Sequence, residues 1–287
     1  MKIGIGLPNT VPGTPGDLLL EWARRAEAAG FSGLATIDRV VYPSYDTLAT
    51  LAAAAGATNR IELVSNILLA PLHSPVMLAK SAASIDQLSG GRLTLGVAVG
   101  GRADDYAAVG RDFSRRGRDF DAALELMHRV WRGEPVADGS LAAAPPPVRD
   151  NRVPLLIGGT SEAAIRRTVT WGAGWTAGGS GPETAAPVMA RIRDRWREAG
   201  RDGEPRFAAL VYYSLGDEVA DQSRANLRDY YAFLGPYADQ IADSALRTPQ
   251  AVRDTVRAFA DIGCTELYFD PTVTSLDQID RLAELVL

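Results

Sequence analysis

Two passages of the sequence hold the residue types from which an anion seat is built. Leu156-Ile157-Gly158-Gly159-Thr160 and Gly174-Trp175-Thr176-Ala177-Gly178-Gly179-Ser180-Gly181 each pass from an apolar stretch through paired glycines into a helical pattern. Glycine lets successive backbone N–H groups turn toward one point, and the N-terminus of the next helix adds partial positive charge. A phosphate would be held by such a pair of helix entrances if they converge. A plain strand-to-helix turn uses the same glycines and needs no ligand. Thr160 is open in the same way, since its hydroxyl suits an anion or a helix cap.

The acid–base inventory is short. Lys2 and Lys80 are the only lysines, and neither falls where a strand would end, which argues against Schiff-base chemistry. Cys264 is the only cysteine, so intrachain disulfides and cysteine-rich metal sites are excluded. With His73 and His128 as the only histidines, a metal site would need mostly carboxylates, and none is expected. His128 sits in a helical pattern and reads as a surface or interhelix residue. His73, in Pro71-Leu72-His73-Ser74-Pro75, reads as a proton-transfer residue or as a loop or subunit-interface residue. Arg39 suits an anionic substrate or a cofactor edge, but its guanidinium cannot serve as a base at ordinary pH.

These residues need a scaffold, and the chain alternates strand and helix throughout its 287 residues. Strand-like runs fall at 2–8, 32–38, 60–71, 92–101, 153–159, 173–179, 205–216 and 264–271. Helical patterns fall at 16–30, 44–59, 74–91, 116–133, 161–172, from Pro182 onward, within 217–262 and at 275–287. Ser74 is placed to cap a helix with Pro75 at its first position. Eight strands each followed by helix predict a (β/α)₈ (TIM) barrel with insertions after some strands, one domain over 1–287. A doubly wound open sheet is the competing architecture. In the barrel, the active site lies at the C-terminal strand ends, where Asp38-Arg39, Asn66, Ala98 to Gly101, the two glycine passages, Tyr212 to Ser214 and Asp270 collect. No triad or carboxylate cluster is among them. The loops 101–118, 134–152 and 217–247 are expected to shape the pocket.

The formal charge of −5 gives no electrostatic case for a nucleic acid or an anionic membrane as partner. No segment reaches the ~18 apolar residues of a membrane span. Met1-Lys2-Ile3-Gly4-Ile5-Gly6 enters a strand at once rather than a signal-peptide core, so a soluble cytoplasmic protein is expected.

Three segments in order, 25–38, 74–100 and 153–175, resemble the luciferase-like flavin-dependent oxidoreductases, a family that includes F420-dependent dehydrogenases. The resemblance implies a TIM barrel with an FMN or deazaflavin (coenzyme F420) ring across the strand ends. It places the phosphate near Gly158, Gly159 and Thr160, with Gly178, Gly179 and Ser180 in support. It puts a non-proline cis peptide near Asn66-Ile67, the ring over that bulge, and Asp38, Ala98 and Gly100 close by. Asp105 and Tyr106 stand where relatives carry acidic and aromatic residues, and read as cofactor contacts or as helix initiation. Many deazaflavin-dependent relatives have Asp-His where this chain has Asp38-Arg39, so that imidazole is missing. The short chain nevertheless fits the deazaflavin-dependent relatives better.

The expected activity is hydride transfer or monooxygenation on a small organic substrate, with Arg39 and His73 as candidates for substrate polarisation or proton transfer. Two alternatives stand beside it. One is a flavin-binding carrier or sensor without turnover, and the other a phosphate-binding barrel enzyme without flavin. Relatives of this kind are commonly homodimers, and the Ala-rich helix at 47–57 would pack closely on a partner.

Overall fold

A computed structural model describes all 287 residues. Eight parallel strands close into a barrel in sequence order: β1 (Lys2–Gly6), β2 (Gly33–Thr36), β3 (Glu62–Leu69), β4 (Leu93–Ala98), β5 (Leu155–Gly158), β6 (Gly174–Thr176), β7 (Arg206–Tyr213) and β8 (Glu266–Pro271). The barrel closes where β8 pairs with β1, Lys2 beside Glu266 and Ile5 beside Phe269. This is the predicted TIM barrel, and the open sheet is excluded.

Helices α1 (Gly16–Ala29), α2 (Thr47–Ala57) and α3 (Pro75–Ser89) follow the first three strands. After β4 comes an insertion with the short α4 (Ala103–Ala108) before α5 (Arg116–Trp131). Then α6 (Glu162–Trp171) and α7 (Pro182–Glu198) follow β5 and β6. Between β7 and β8 lie α8 (Ala220–Tyr230), α9 (Tyr237–Ser244) and α10 (Pro249–Asp261), and α11 (Asp277–Val286) closes the chain. Pro75 opens α3 as expected, but the Ser74 side chain makes no capping bond. The α6 cap is Ser161, which accepts from the Ala164 N–H, so Thr160 lies outside the helix and does not cap it. No helix is long and apolar enough to cross a membrane.

Alternation along each strand sorts side chains outward, into the main core under the helices, or inward, into the barrel. At the N-terminal end the interior holds a charged layer. Arg206 donates to both oxygens of Glu266 at 2.6 and 2.8 Å and to Thr94 Oγ1 at 3.0 Å. Burial opposes the charge, but the hydrogen bonds to Glu266 and then its Coulomb attraction together outweigh burial and hold the guanidinium firmly protonated. Above it lies an apolar layer of Ala35, Val64, Leu156, Ala208 and Tyr268. The third layer, at the C-terminal end, turns polar again with Asn66, Thr176 and Asp270, all buried.

Glycines on β1 make room for these large inward groups. A Cβ on Gly4 would fall 2.4 Å from the Tyr268 ring, and one on Gly6 would fall 2.0 Å from Asp270 Oδ1. The peptide bond between Asn66 and Ile67 is cis, and the β3–β4 register shifts between Ser65 and Leu68.

Candidate functional site

The polar layer opens upward into a cleft of about 640 Å³ at the C-terminal mouth. Ile37, Asp38 and Arg39 reach it from the end of β2, and Asn66, Ile67 and Leu69 from β3. Gly101 and Arg102 come from the insertion after β4, Gly178 and Gly179 from beyond β6, and Leu210 and Tyr212 from β7. Tyr230 and Tyr231, at the end of α8, form the outer wall. A larger groove of about 1300 Å³ shares Gly179, Leu210, Tyr212 and Tyr231 with it. That groove continues past Ser180 and Pro182 to α9 and α10.

Asp38 is buried and its Oδ2 accepts from the Leu69 N–H at 2.9 Å, which fixes the carboxylate at the lip. His73 lies behind it, with Nε2 3.7 Å from the same oxygen, and does not line the cleft. Arg39 is held from below by Asp105, a carboxylate with no exposed surface. Its Nε donates to both Asp105 oxygens at 3.0 and 3.3 Å. The N–H groups of Val40 and Val41 also donate to Asp105 Oδ1, at 3.1 and 2.7 Å. Asp105 and Tyr106 both sit in α4 outside the cleft lining, and the Tyr106 hydroxyl donates to the Val99 carbonyl at 2.5 Å. Both act as struts.

Several buried polar atoms near the mouth have no partner in the chain: Arg39 Nη1, Asn66 Nδ2, His73 Nε2, Ser214 Oγ and Asp270 Oδ1. Asn66 spends its oxygen on the Thr176 hydroxyl, which donates at 2.8 Å, leaving the amide nitrogen free beside the cleft. Buried polar groups are nearly always satisfied, so the two exceptions that line the cleft, Arg39 Nη1 and Asn66 Nδ2, mark it as a ligand site.

Tyrosine supplies the groups that the sequence reading missed. The Tyr212 and Tyr231 hydroxyls lie 2.8 Å apart, one donating to the other. Burial, reinforced by neighbouring phenols and by Asp270, pushes the Tyr212 pKa well above its ordinary value, and burial raises that of Tyr231 too. Both stay protonated at ordinary pH, and the one that accepts within the pair keeps its hydroxyl proton free. Tyr212 was visible at a strand end. Tyr230 and Tyr231, in the run Asp229-Tyr230-Tyr231, had no signal beyond lying in a loop expected to shape the pocket. Arg102 had none beyond the insertion after β4. The segment 134–152 does not shape the pocket. It links α5 to β5 at the opposite end of the barrel, where the Val148 N–H donates to Asp86 and Gln87 donates to the Pro146 carbonyl.

The glycine residues divide between cleft and rim. Gly158 is an inward position where a Cβ would fall 2.9 Å from Ile67 Cδ1 and 3.2 Å from the Ala98 Cβ, so it packs against both side chains, of which Ile67 lines the cleft. Gly100 packs on Leu69, a cleft residue. Gly159 and Thr160 are exposed on the rim beyond. Their N–H groups donate to no carbonyl or side chain of the protein. His128 is an interhelix residue, with its ring against Trp131 and Trp171 and Nδ1 on the Leu124 carbonyl.

Asp270 offers a test of the polar layer. Burial alone raises its pKa well above the usual carboxylate value. The folded chain therefore keeps this proton at pH values where the unfolded chain, with a pKa of about 3.9, has released it. Stability contributed by this group is lost as pH rises above about 4, until the folded pKa is passed. Asp270→Asn removes the titration. Its stability relative to the unaltered protein should rise between pH 4 and pH 7 in urea unfolding, and a constant difference would show that Asp270 is ionised in the fold.

The comparisons agree with this architecture. The model of the luciferase-like monooxygenase family matches residues 1–255. An uncharacterized protein of Mycobacterium tuberculosis, Rv0940c, is 28% identical over 206 residues, 62% of this chain and 71% of its own. Among solved structures, the monooxygenase RslO1 from Streptomyces bottropensis superposes with a TM-score of 0.79 at 21% identity, over 99% of this chain and 97% of its own. An F420-dependent secondary alcohol dehydrogenase, bound to an F420-acetone adduct, superposes with a TM-score of 0.81 at 20% identity, over 99% and 98%. At such identities the superpositions speak for the fold.

Proposed function

The chain belongs to the luciferase-like monooxygenase family, and from that premise we propose that it is a flavin-dependent oxidoreductase acting on a small organic molecule at the C-terminal mouth of the barrel. The observation that carries this reading is the cleft itself. Ile67, packed on Gly158 and Ala98, lines it beside the rings of Tyr212, Tyr230 and Tyr231, and unpartnered nitrogens of Asn66 and Arg39 border it. FMN or coenzyme F420 fits these features. The bound ring would supply the redox chemistry, as hydride transfer or as oxygen activation for monooxygenation.

The chain's own residues bind, orient and polarise. Asn66 Nδ2 donates to the ring's polar edge, and the N–H groups of Gly159 and Thr160 hold the phosphate. Gly178 and Gly179 leave space between ring and rim, and Ser180 begins the groove toward α9 and α10. The Tyr212–Tyr231 pair keeps one hydroxyl proton free to donate a hydrogen bond beside the ring. That donor favours turnover over mere carriage of a flavin, because a carrier has no use for a group that polarises a second molecule next to its ligand. Arg39 orients the substrate, and His73 stands behind Asp38, outside the cleft lining.

The test is titration of the purified protein with FMN and with F420, following cofactor absorbance and fluorescence. At least one should bind saturably. Absence of binding by both would overturn the reading, and substrate-independent oxidation alone would leave a carrier.

A further inference from the structure

One wall of the cleft is made of arginine and aromatic rings. The Arg102 guanidinium carbon lies 5.0 Å from the Tyr230 ring centroid and 3.6 Å from that of Phe233. Arg102 donates through Nη2 to the Tyr230 carbonyl at 2.6 Å. The nearby carboxylates, Asp104 and Asp105, pair with Arg39 instead. Arg39 is also over Tyr230, at 5.6 Å, and its side chain is 4% exposed. Even with two carboxylates beside it, Arg39 Nη1 has no partner.

Two cations thus border one cleft with unused donors. Burial, and after it the charge of Arg39, lowers the Arg102 pKa, and the more distant pull of Asp105 does not offset them. A guanidinium presents its donors in a planar fork that matches a carboxylate, and it stacks on aromatic faces without losing them. The rest of the lining sets the shape of what the forks would hold. Tyr230 and Tyr231 meet edge to face at 4.9 Å, and Tyr231 and Tyr212 at 6.0 Å, giving a continuous run of aromatic rings in a cleft that Ile67, Leu69 and Leu210 also line.

We propose that the cleft selects a flat aromatic carboxylate as substrate, its carboxylate received by Arg102 and Arg39 Nη1 and its ring laid along the Tyr212–Tyr231–Tyr230 wall. The assignment of this ligand as substrate rests on the flavin reading above. The anion site itself does not. Arg102 is the residue that determines specificity, because Arg39 is already committed to Asp105 and to the Val41 carbonyl, which accepts from Nη2 at 2.9 Å.

The experiment is calorimetric titration of the full chain, with and without FMN, using 2-naphthoate and its uncharged counterpart 2-naphthamide. The unaltered protein should bind naphthoate at least about ten-fold more tightly. Arg102→Gln should lose about ten-fold in naphthoate affinity and leave naphthamide unchanged. Equal binding of the two probes by the unaltered protein overturns the proposal. A variant that weakens both alike also overturns it, since Arg102 would then only brace the wall. FMN and riboflavin affinities of the variant complete the set. Loss for FMN alone would assign Arg102 to the cofactor phosphate and overturn the substrate site. Failure of the unaltered protein to bind any flavin would sink the cofactor reading, while the naphthoate preference still decides whether the anion site exists.

Discussion

Asp105→Ala is expected to destabilise the protein by about 3–5 kcal/mol, because it strands a buried cation. The lost carboxylate has no exposed surface and takes four hydrogen bonds, two from Arg39 Nε and one each from the N–H groups of Val40 and Val41. Asp104 remains 3.6 Å from Arg39 Nη2, but it is half exposed and holds nothing of the 39–41 backbone. The effect should therefore exceed that of an ordinary surface pair, worth about 0–1 kcal/mol. Urea unfolding measures it directly. Arg39→Met should cost less, since Asp105 keeps both backbone donors. The double variant should be more stable than Asp105→Ala alone, because the orphaned cation is then gone. A loss under about 1 kcal/mol for Asp105→Ala would mean that Arg39 finds water or Asp104 at no cost, and that the loop carrying Asp38 and Arg39 is not set by this strut.

That strut illustrates what the sequence could and could not reveal. The barrel was legible because each strand and helix writes its own period, and eight alternations leave few closures. Asp38, Arg39, Asn66, Gly178 and Gly179 were legible as strand-end residues, and the structure brings all five to one cleft. The pairing of Arg39 with Asp105 spans 66 positions and leaves no local pattern. Tyr230 and Tyr231 reach the site because α8 folds back over the mouth, which periodicity within the insertion cannot disclose. The misreading of 134–152 has a simpler cause. A long Pro-rich loop looks the same at either end of a barrel, but one that leads from a helix into a strand must lie at the face opposite the site. His73 was drawn toward catalysis as the one histidine left near the mouth. Its place behind Asp38 depends on the turn of Ala70–Leu72, a three-residue element without period.

Gly159→Val should lower FMN affinity by about 100-fold or more while riboflavin affinity moves only a few-fold. The N–H groups of Gly159 and Thr160 have no acceptor in the chain and precede a ten-residue helix capped by Ser161. A charge-assisted hydrogen bond contributes about 1.5–3 kcal/mol, so two of them on a phosphate account for the predicted loss. The backbone at Gly159 has φ +106°, a region that a β-branched residue rarely adopts, and a Cβ there would meet the Ala164 Cβ at 3.3 Å. Valine would rotate the peptide and swing both N–H groups off target. Some stability is lost as well, about 1–3 kcal/mol for the strain, so the variant's unfolding midpoint must be measured beside its affinities. The second glycine passage replaces the first only in part. There the Gly178 N–H already donates to Thr176 Oγ1 and the Ser180 N–H to the Ala177 carbonyl, which leaves Gly179 and Gly181 as free donors that are not consecutive. Riboflavin lacks the phosphate and separates the roles. Parallel losses for FMN and riboflavin would mean that the substitution deforms the ring seat through Gly158. Unchanged affinity for both would return Gly158-Gly159-Thr160 to a plain turn and move the phosphate to another part of the rim.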